Sequence, residues 1–248
     1  MSRSQKREGG ASNPVQKFVT YRPNSGEFHV YDKSTKDKYK PESLDIIILD
    51  ADRSSFSGYS SEHDAGIICN SVLNSKTEEM VVGVVSNGKY REVLKGLYQD
   101  IKNDLEGGKY TRDVYCLLVE DGNYSLANLQ LTGMARGQFD DWFKDNSSKA
   151  LESVITINSS EEVYNYVKKT KQLEVVPKSA QKRWRTTWLR TLSLDLSKIS
   201  QSEDELAYSM DEKLQEYLSG ESKPKEVVAE PEPVSVGGDD DDNDDLPF

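Results

Sequence analysis

The sequence predicts a mainly β protein of the α+β class, a small barrel or sandwich elaborated by helices. Three observations predict it: short β-branched apolar runs, two tight-turn signals flanked by strand-like segments, and few stretches of helical spacing. Val15–Arg22 and Glu27–Tyr31 flank the turn cluster Pro23-Asn24-Ser25-Gly26 and form the first expected hairpin. Leu44–Leu49 and Glu79–Val85 have strand length and are expected to be buried on both faces. Arg112–Val119 and Asn123–Leu131 bracket Asp121-Gly122, a two-residue hairpin signal. Arg183–Leu196 alternates as one more strand.

Four segments read as helical. Lys89–Glu106 places Tyr90, Val93, Leu94, Leu97, Tyr98, Ile101 and Leu105 at helical spacing, with Gly107 as a stop. Met134–Asp145 carries Phe139, Trp142 and Phe143 on one side. Ser159-x-x-Glu162 and Ser202-x-x-Glu205 have the form of capping boxes, the second opening a helix through Leu206, Met210, Leu214, Tyr217 and Leu218 to Gly220.

The expected organisation is a flexible basic arm over 1–14, a folded body over 15–220 with a late helix near 202–219, and a disordered acidic tail over 221–248. The formal charge is −11, of which −8 falls in the tail and −3 in the body. Pro-Glu-Pro and Gly-Gly around residues 231–238 mark a linker that cannot bury enough surface to order itself. No apolar run approaches the roughly 20 residues of a membrane span, and MSRSQKREGG lacks the apolar centre of a signal peptide. The expected location is therefore intracellular, with no membrane partner. Cys69 and Cys116, with only His29 and His63 beside them, exclude an ordinary zinc cluster and a disulfide framework.

The chain closes on six aspartates interrupted by Asn243, followed by Leu246-Pro247-Phe248. Phe248 joins an aromatic ring to an α-carboxylate, Pro247 fixes its own φ, and Leu246 adds a second apolar knob. The aspartates attract a basic rim over a distance. Asp244-Asp245-Leu246-Pro247-Phe248 resembles the acidic tip of bacterial and phage single-stranded DNA-binding proteins, and the body resembles larger phage-encoded members in its order of hairpins, inserted helices and late helix. The resemblance implies an OB-fold-like β-barrel that binds and protects single-stranded DNA in replication and recombination. It also implies a tip that recruits replication, recombination or repair proteins. It leaves self-association open, because the body is longer than the usual bacterial barrel domain.

Largely sequence-independent strand binding needs aromatic faces for bases and cations for phosphates. The chain has 13 Tyr, 3 Trp and 6 Phe. Tyr31, Lys33, Lys36, Lys38, Tyr39 and Lys40 lie together in an expected hairpin tip. Ser54–Ser61 reads as a small polar loop presenting Phe56 and Tyr59 around Gly58. In Lys182–Arg190, Trp184 and Trp188 share a face that continues as apolar Leu192 and Leu194 and so competes for the core. Arg183 and Arg185 lie on the other face as the better phosphate contacts.

Two stretches of the sequence suggest other functions. Gly83–Tyr90 nearly spells a phosphate-binding loop, but Tyr90 stands where a Ser or Thr hydroxyl must meet Mg²⁺. Asp50 and Asp52 follow an apolar strand as a metal-dependent nuclease or phosphatase would require, without a supporting acidic or His cluster. The remaining rival is an interaction hub without nucleic-acid binding. The expectation is a protein that is not an enzyme and uses no cofactor or metal.

Overall fold

A computed structural model describes residues 13–86, 89–104, 106–167, 172–177 and 188–220. Residues 1–12 of the expected basic arm, residues 178–187 and the expected tail lie outside them. Among the described residues the chain is mainly β with three helices, and the strands form one mixed sheet. β1 (Lys17–Arg22) and β2 (Glu27–Asp32) form the first hairpin, and the two-residue β3 (Lys38–Tyr39) pairs with β2. β4 (Ser43–Ser60) pairs along its length with β8 (Gly108–Glu120). β8 continues through Asp121-Gly122 into β9 (Asn123–Thr132), and the φ angles of 50° and 75° at that dipeptide are those of the tight hairpin turn its sequence predicts. β1 lies parallel to β9. On the other side of β4, its first half pairs with β10 (Ser153–Val167), which pairs in turn with β11 (Gln172–Val175) and β12 (Trp188–Lys198).

The sheet curls. The Arg190 N–H on β12 donates to the Pro23 carbonyl in the β1–β2 turn at 2.7 Å. The Tyr21 hydroxyl meets Ser159 Oγ at 3.1 Å and donates to the Arg190 carbonyl at 3.0 Å. Inside the curl, Val19, Phe28, Ile46, Ile48, Val114, Cys116, Leu129, Ile155 and Ile157 pack against Phe139 of α2 (Gly133–Ala150). Burial pushes the Cys116 thiol up to about 12. α3 (Gln201–Gly220) covers the other face: Ala207, Leu214 and Leu218 pack on Ile47, Tyr115, Leu117 and Leu126. The Leu44–Leu49 run is thus buried on both faces, as its composition predicts.

Between β4 and β8 the chain builds an arm: β5 (Ala65–Cys69), β6 (Met80–Ser86), β7 (Lys89–Gly96) and the short α1 (Tyr98–Ile101). This corrects the helix expected over Lys89–Glu106. A register shift at Val82/Gly83 leaves Val93 as an extra residue, so Val93 and Leu94 both pack into the arm's own core. That doublet, with Tyr98 and Ile101 following, imitates helical spacing.

Three further expectations are corrected. Ser159-x-x-Glu162 does not open a helix: it lies at a register shift within β10, where Ser159 meets Tyr21. The capping box of α3 is Ser200/Glu203, with Ser200 N–H donating to Glu203 Oε2 at 2.8 Å and Glu203 N–H to Ser200 Oγ at 3.3 Å, instead of Ser202/Glu205. Ser54–Ser61 is no loop, because β4 runs to Ser60.

Candidate nucleic-acid interface

The Tyr31–Lys40 segment is a hairpin tip, but its side chains divide between two faces. Tyr31 pairs with Lys38, while Tyr39 pairs with Val30, whose side chain is in the core. The Tyr39 hydroxyl donates to Glu120 and accepts from Lys17 Nζ at 3.1 Å; Lys17 also pairs with Glu120. Burial, followed by the Glu120 contact, raises the Tyr39 phenol above its ordinary pKa. Tyr39 is therefore partly buried against the core, held there by Lys17 and Glu120. Lys40 donates to Glu27 at 3.0 Å. Lys36 and Lys38 are exposed, with Lys36 at a φ of 64°, and Lys33 is half-buried.

Phe56 and Tyr59 separate as well. Phe56 is 1 % exposed and lies against Gly108, where an added Cβ would overlap its ring. It belongs to the arm's core and presents no face to a base. Tyr59 is 50 % exposed on the opposite side, and its hydroxyl donates to Asp64. That bond raises the Tyr59 phenol and orients the ring.

Successive pairings put Tyr59, Gly66, Val85 and Tyr90 in one cross-strand row over β4, β5, β6 and β7. At about 4.8 Å between strands the row spans roughly 14 Å. A Cβ at Gly66 would meet nothing within 4 Å, so the row has an open floor beside Tyr59. The Tyr90 ring lies over Gly83, where any side chain would collide with it. Exposed Lys109 pairs across from Ser57, two residues before Tyr59 on the same strand. The helical spacing of Lys89–Glu106 conceals Tyr90 as a partner in this row, and the alternation Lys89-Tyr90-Arg91 is its one visible strand signal.

Arg183, Trp184 and Arg185 lie outside the described residues, as do Asp244, Asp245, Leu246, Pro247 and Phe248. Trp188 begins β12 opposite Asn165. The Arg190 guanidinium donates to the carbonyls of Ser160 at 3.0 Å and Glu161 at 3.4 Å. Asp50 accepts from Arg53 Nε at 2.8 Å and from the Asp52 N–H at 3.0 Å, at a register shift within β4. No group of three or more His, Cys, Asp or Glu residues able to hold a metal occurs among the described residues.

Between the α3 footprint and the arm runs a buried polar strip. Asp113 accepts from Ser71 Oγ at 2.8 Å, Asn128 Nδ2 at 3.2 Å and Gln130 Nε2 at 3.3 Å. Burial raises its carboxyl above the usual range against these donors. On the arm's inner side, Arg136 of α2 sits 4.9 Å above the Tyr110 ring, which contacts Tyr98 at 4.5 Å. Arg112 Nε donates to Asp140 at 2.8 Å. Local sequence does not reveal this pair, because Arg112 on β8 and the shared partner Asp140 on α2 lie 28 positions apart.

Among the described residues no helix is long and apolar enough to cross a membrane. No family model, no curated protein and no solved structure matches the chain.

Proposed function

We propose that this protein binds and protects single-stranded DNA, largely without sequence preference, and recruits replication, recombination or repair proteins through its acidic closing residues. The observation that carries the reading is Asp239–Phe248, an aspartate run followed by Leu-Pro-Phe, with its resemblance to the tips of single-stranded DNA-binding proteins.

The fold supports it through connectivity. β4, β8 and β9, then α2, then β10 and β12 follow one another as the strands and helix of an OB barrel do. In that arrangement the loops joining the first and second, and the fourth and fifth, strands flank the bound oligonucleotide. Here the first connection is the arm beside Tyr59 of β4, and Arg183, Trp184 and Arg185 fall between β10 and β12 in sequence. The chain departs from the simple barrel by setting β1 beside β9. α3 covers the outer face around Tyr115, Leu117 and Leu126, while Tyr59 of the row and Lys36 and Lys38 of the tip are exposed, an aromatic face and cations of the kind strand binding uses. The protein acts without catalysis or cofactor.

The test is a gel shift of labelled oligo-dT with unlabelled single-stranded and duplex competitors, run beside a pull-down. The strand should be displaced by single strands and not by duplex. Deleting Leu246-Pro247-Phe248 should remove protein partners from the pull-down and leave the shift unchanged. Displacement by duplex at equal concentration overturns the strand-binding reading, and unchanged partners overturn the role of the tip.

A further inference from the structure

Arg112 of β8 and Arg136 of α2 share one carboxylate. Asp140 accepts from Arg112 Nε at 2.8 Å, while Arg136 Nε stands 3.8 Å from the other oxygen of Asp140, an ion-pair distance beyond hydrogen bonding. Arg136 Nε is buried and has no hydrogen-bond partner. The side chains of Arg112, Arg136 and Asp140 are 21 %, 18 % and 32 % exposed, so the cluster reaches the surface from a half-buried position. Two guanidinium groups against one carboxylate leave a net positive charge where water screens it less than at an open surface.

The surroundings fit the same ligand. Arg136 lies over the Tyr110 face, and Tyr98 packs against that ring from the arm. Arg136 is in the first turn of α2, where the helix adds positive potential, and Thr132 makes no side-chain cap there. Guanidinium forks match phosphate oxygens, and neighbouring aromatic rings match the base that accompanies a phosphodiester.

We propose that Arg112 and Arg136 form a phosphate seat between the arm and α2, and that it holds a backbone phosphodiester of the single strand. This rests on the strand-binding reading above. The site chemistry is shared by a free phosphate or a mononucleotide, and the test separates these sources.

The experiment compares the wild type with Arg136→Gln. This substitution leaves Asp140 paired with Arg112, so the fold should persist, and equal thermal midpoints check it. Oligo-dT affinity is measured across a salt series, and inorganic phosphate and dTMP are titrated separately. Loss of one phosphate contact should lower the salt slope by about 0.7 and weaken binding several-fold at low salt. Phosphate and dTMP at millimolar concentration should leave the wild-type midpoint unmoved. If wild type binds oligo-dT and Arg136→Gln binds with the same slope, the seat is overturned while strand binding stands. If phosphate or dTMP stabilises wild type but not Arg136→Gln, the occupant is a small phosphate and the strand assignment is overturned. If wild type binds no oligo-dT, strand binding itself has failed.

Discussion

Pro23 and Arg190 are joined by a 2.7 Å main-chain hydrogen bond, although 167 positions separate them in sequence. Through it the first hairpin closes onto the last strand, and the core around Phe28 and Phe139 is shut on that side. The closure depends on Gly26, which has a φ of 72° and lies where a Cβ would overlap Arg190 Cδ and Ser159 Oγ. Gly26→Ala should therefore destabilise the body by about 1–3 kcal/mol, from left-handed backbone strain and from displacement of Arg190. Urea unfolding measures this, and an unchanged midpoint would show that the hairpin does not seal the curl.

Asp113 makes stability depend on pH. Burial raises its folded-state pKa above the unfolded value, so the folded protein binds this proton more readily. The cost of burying the charge is present above the folded pKa and is relieved as pH falls through it toward the unfolded value near 3.9. Asp113→Asn removes the charge at every pH. The stability of wild type relative to Asp113→Asn should then rise as pH is lowered from 7 toward 4. A relative stability that falls over that window would mean the donors Ser71, Asn128 and Gln130 outweigh desolvation.

The arm's row gives a substitution aimed at binding alone. Gly66→Val places a side chain where nothing lies within 4 Å, at a position whose φ a valine can adopt, so folding should be untouched. It fills the floor beside Tyr59 and should weaken oligo-dT binding about tenfold, within the range of one base–aromatic stack. Tyr59→Leu should do the same, and Tyr59→Phe should keep most of the affinity. Wild-type affinity in Gly66→Val would remove the row from the interface.

The tail should compete with nucleic acid for the body. Its 28 residues carry a charge of −8, and for the linker that their composition predicts, a root-mean-square reach of about 30 Å would give an effective concentration on the order of millimolar. Deleting residues 221–248 should tighten oligo-dT binding at low salt, and the gain should shrink toward physiological ionic strength. Equal affinities at every salt concentration would leave the tail as a recruiting arm only.

Much of this fold is legible in the sequence where local chemistry has one meaning. Asp121-Gly122 and Pro23–Gly26 announce their turns, and Leu206, Met210, Leu214 and Leu218 lay out the buried side of α3. Legibility fails where tertiary contacts reuse a local signal. The bulge at Val93 copies a helical doublet, and the box-like Ser159–Glu162 sits in a strand because Ser159 is held by Tyr21. The serines of β4 read as a loop for a related reason. Ser54, Ser55 and Ser60 are buried, and the hydroxyl of Ser54 accepts from Tyr110 at 2.7 Å, so polar residues occupy a strand interior. Of the candidate site, exposed Tyr59, Lys36 and Lys38 were visible from sequence, while buried Phe56 and anchored Tyr39 were indistinguishable from them. Only long-range pairing separates these two groups.

The most direct test of strand binding is titration of full-length protein with oligo-dT and with duplex of equal length, followed by intrinsic tryptophan fluorescence at two salt concentrations. The expected result is saturable binding of oligo-dT, at least tenfold tighter than duplex, that weakens as salt rises. Equal affinity for duplex, or no fluorescence change and no binding with oligo-dT, would contradict it.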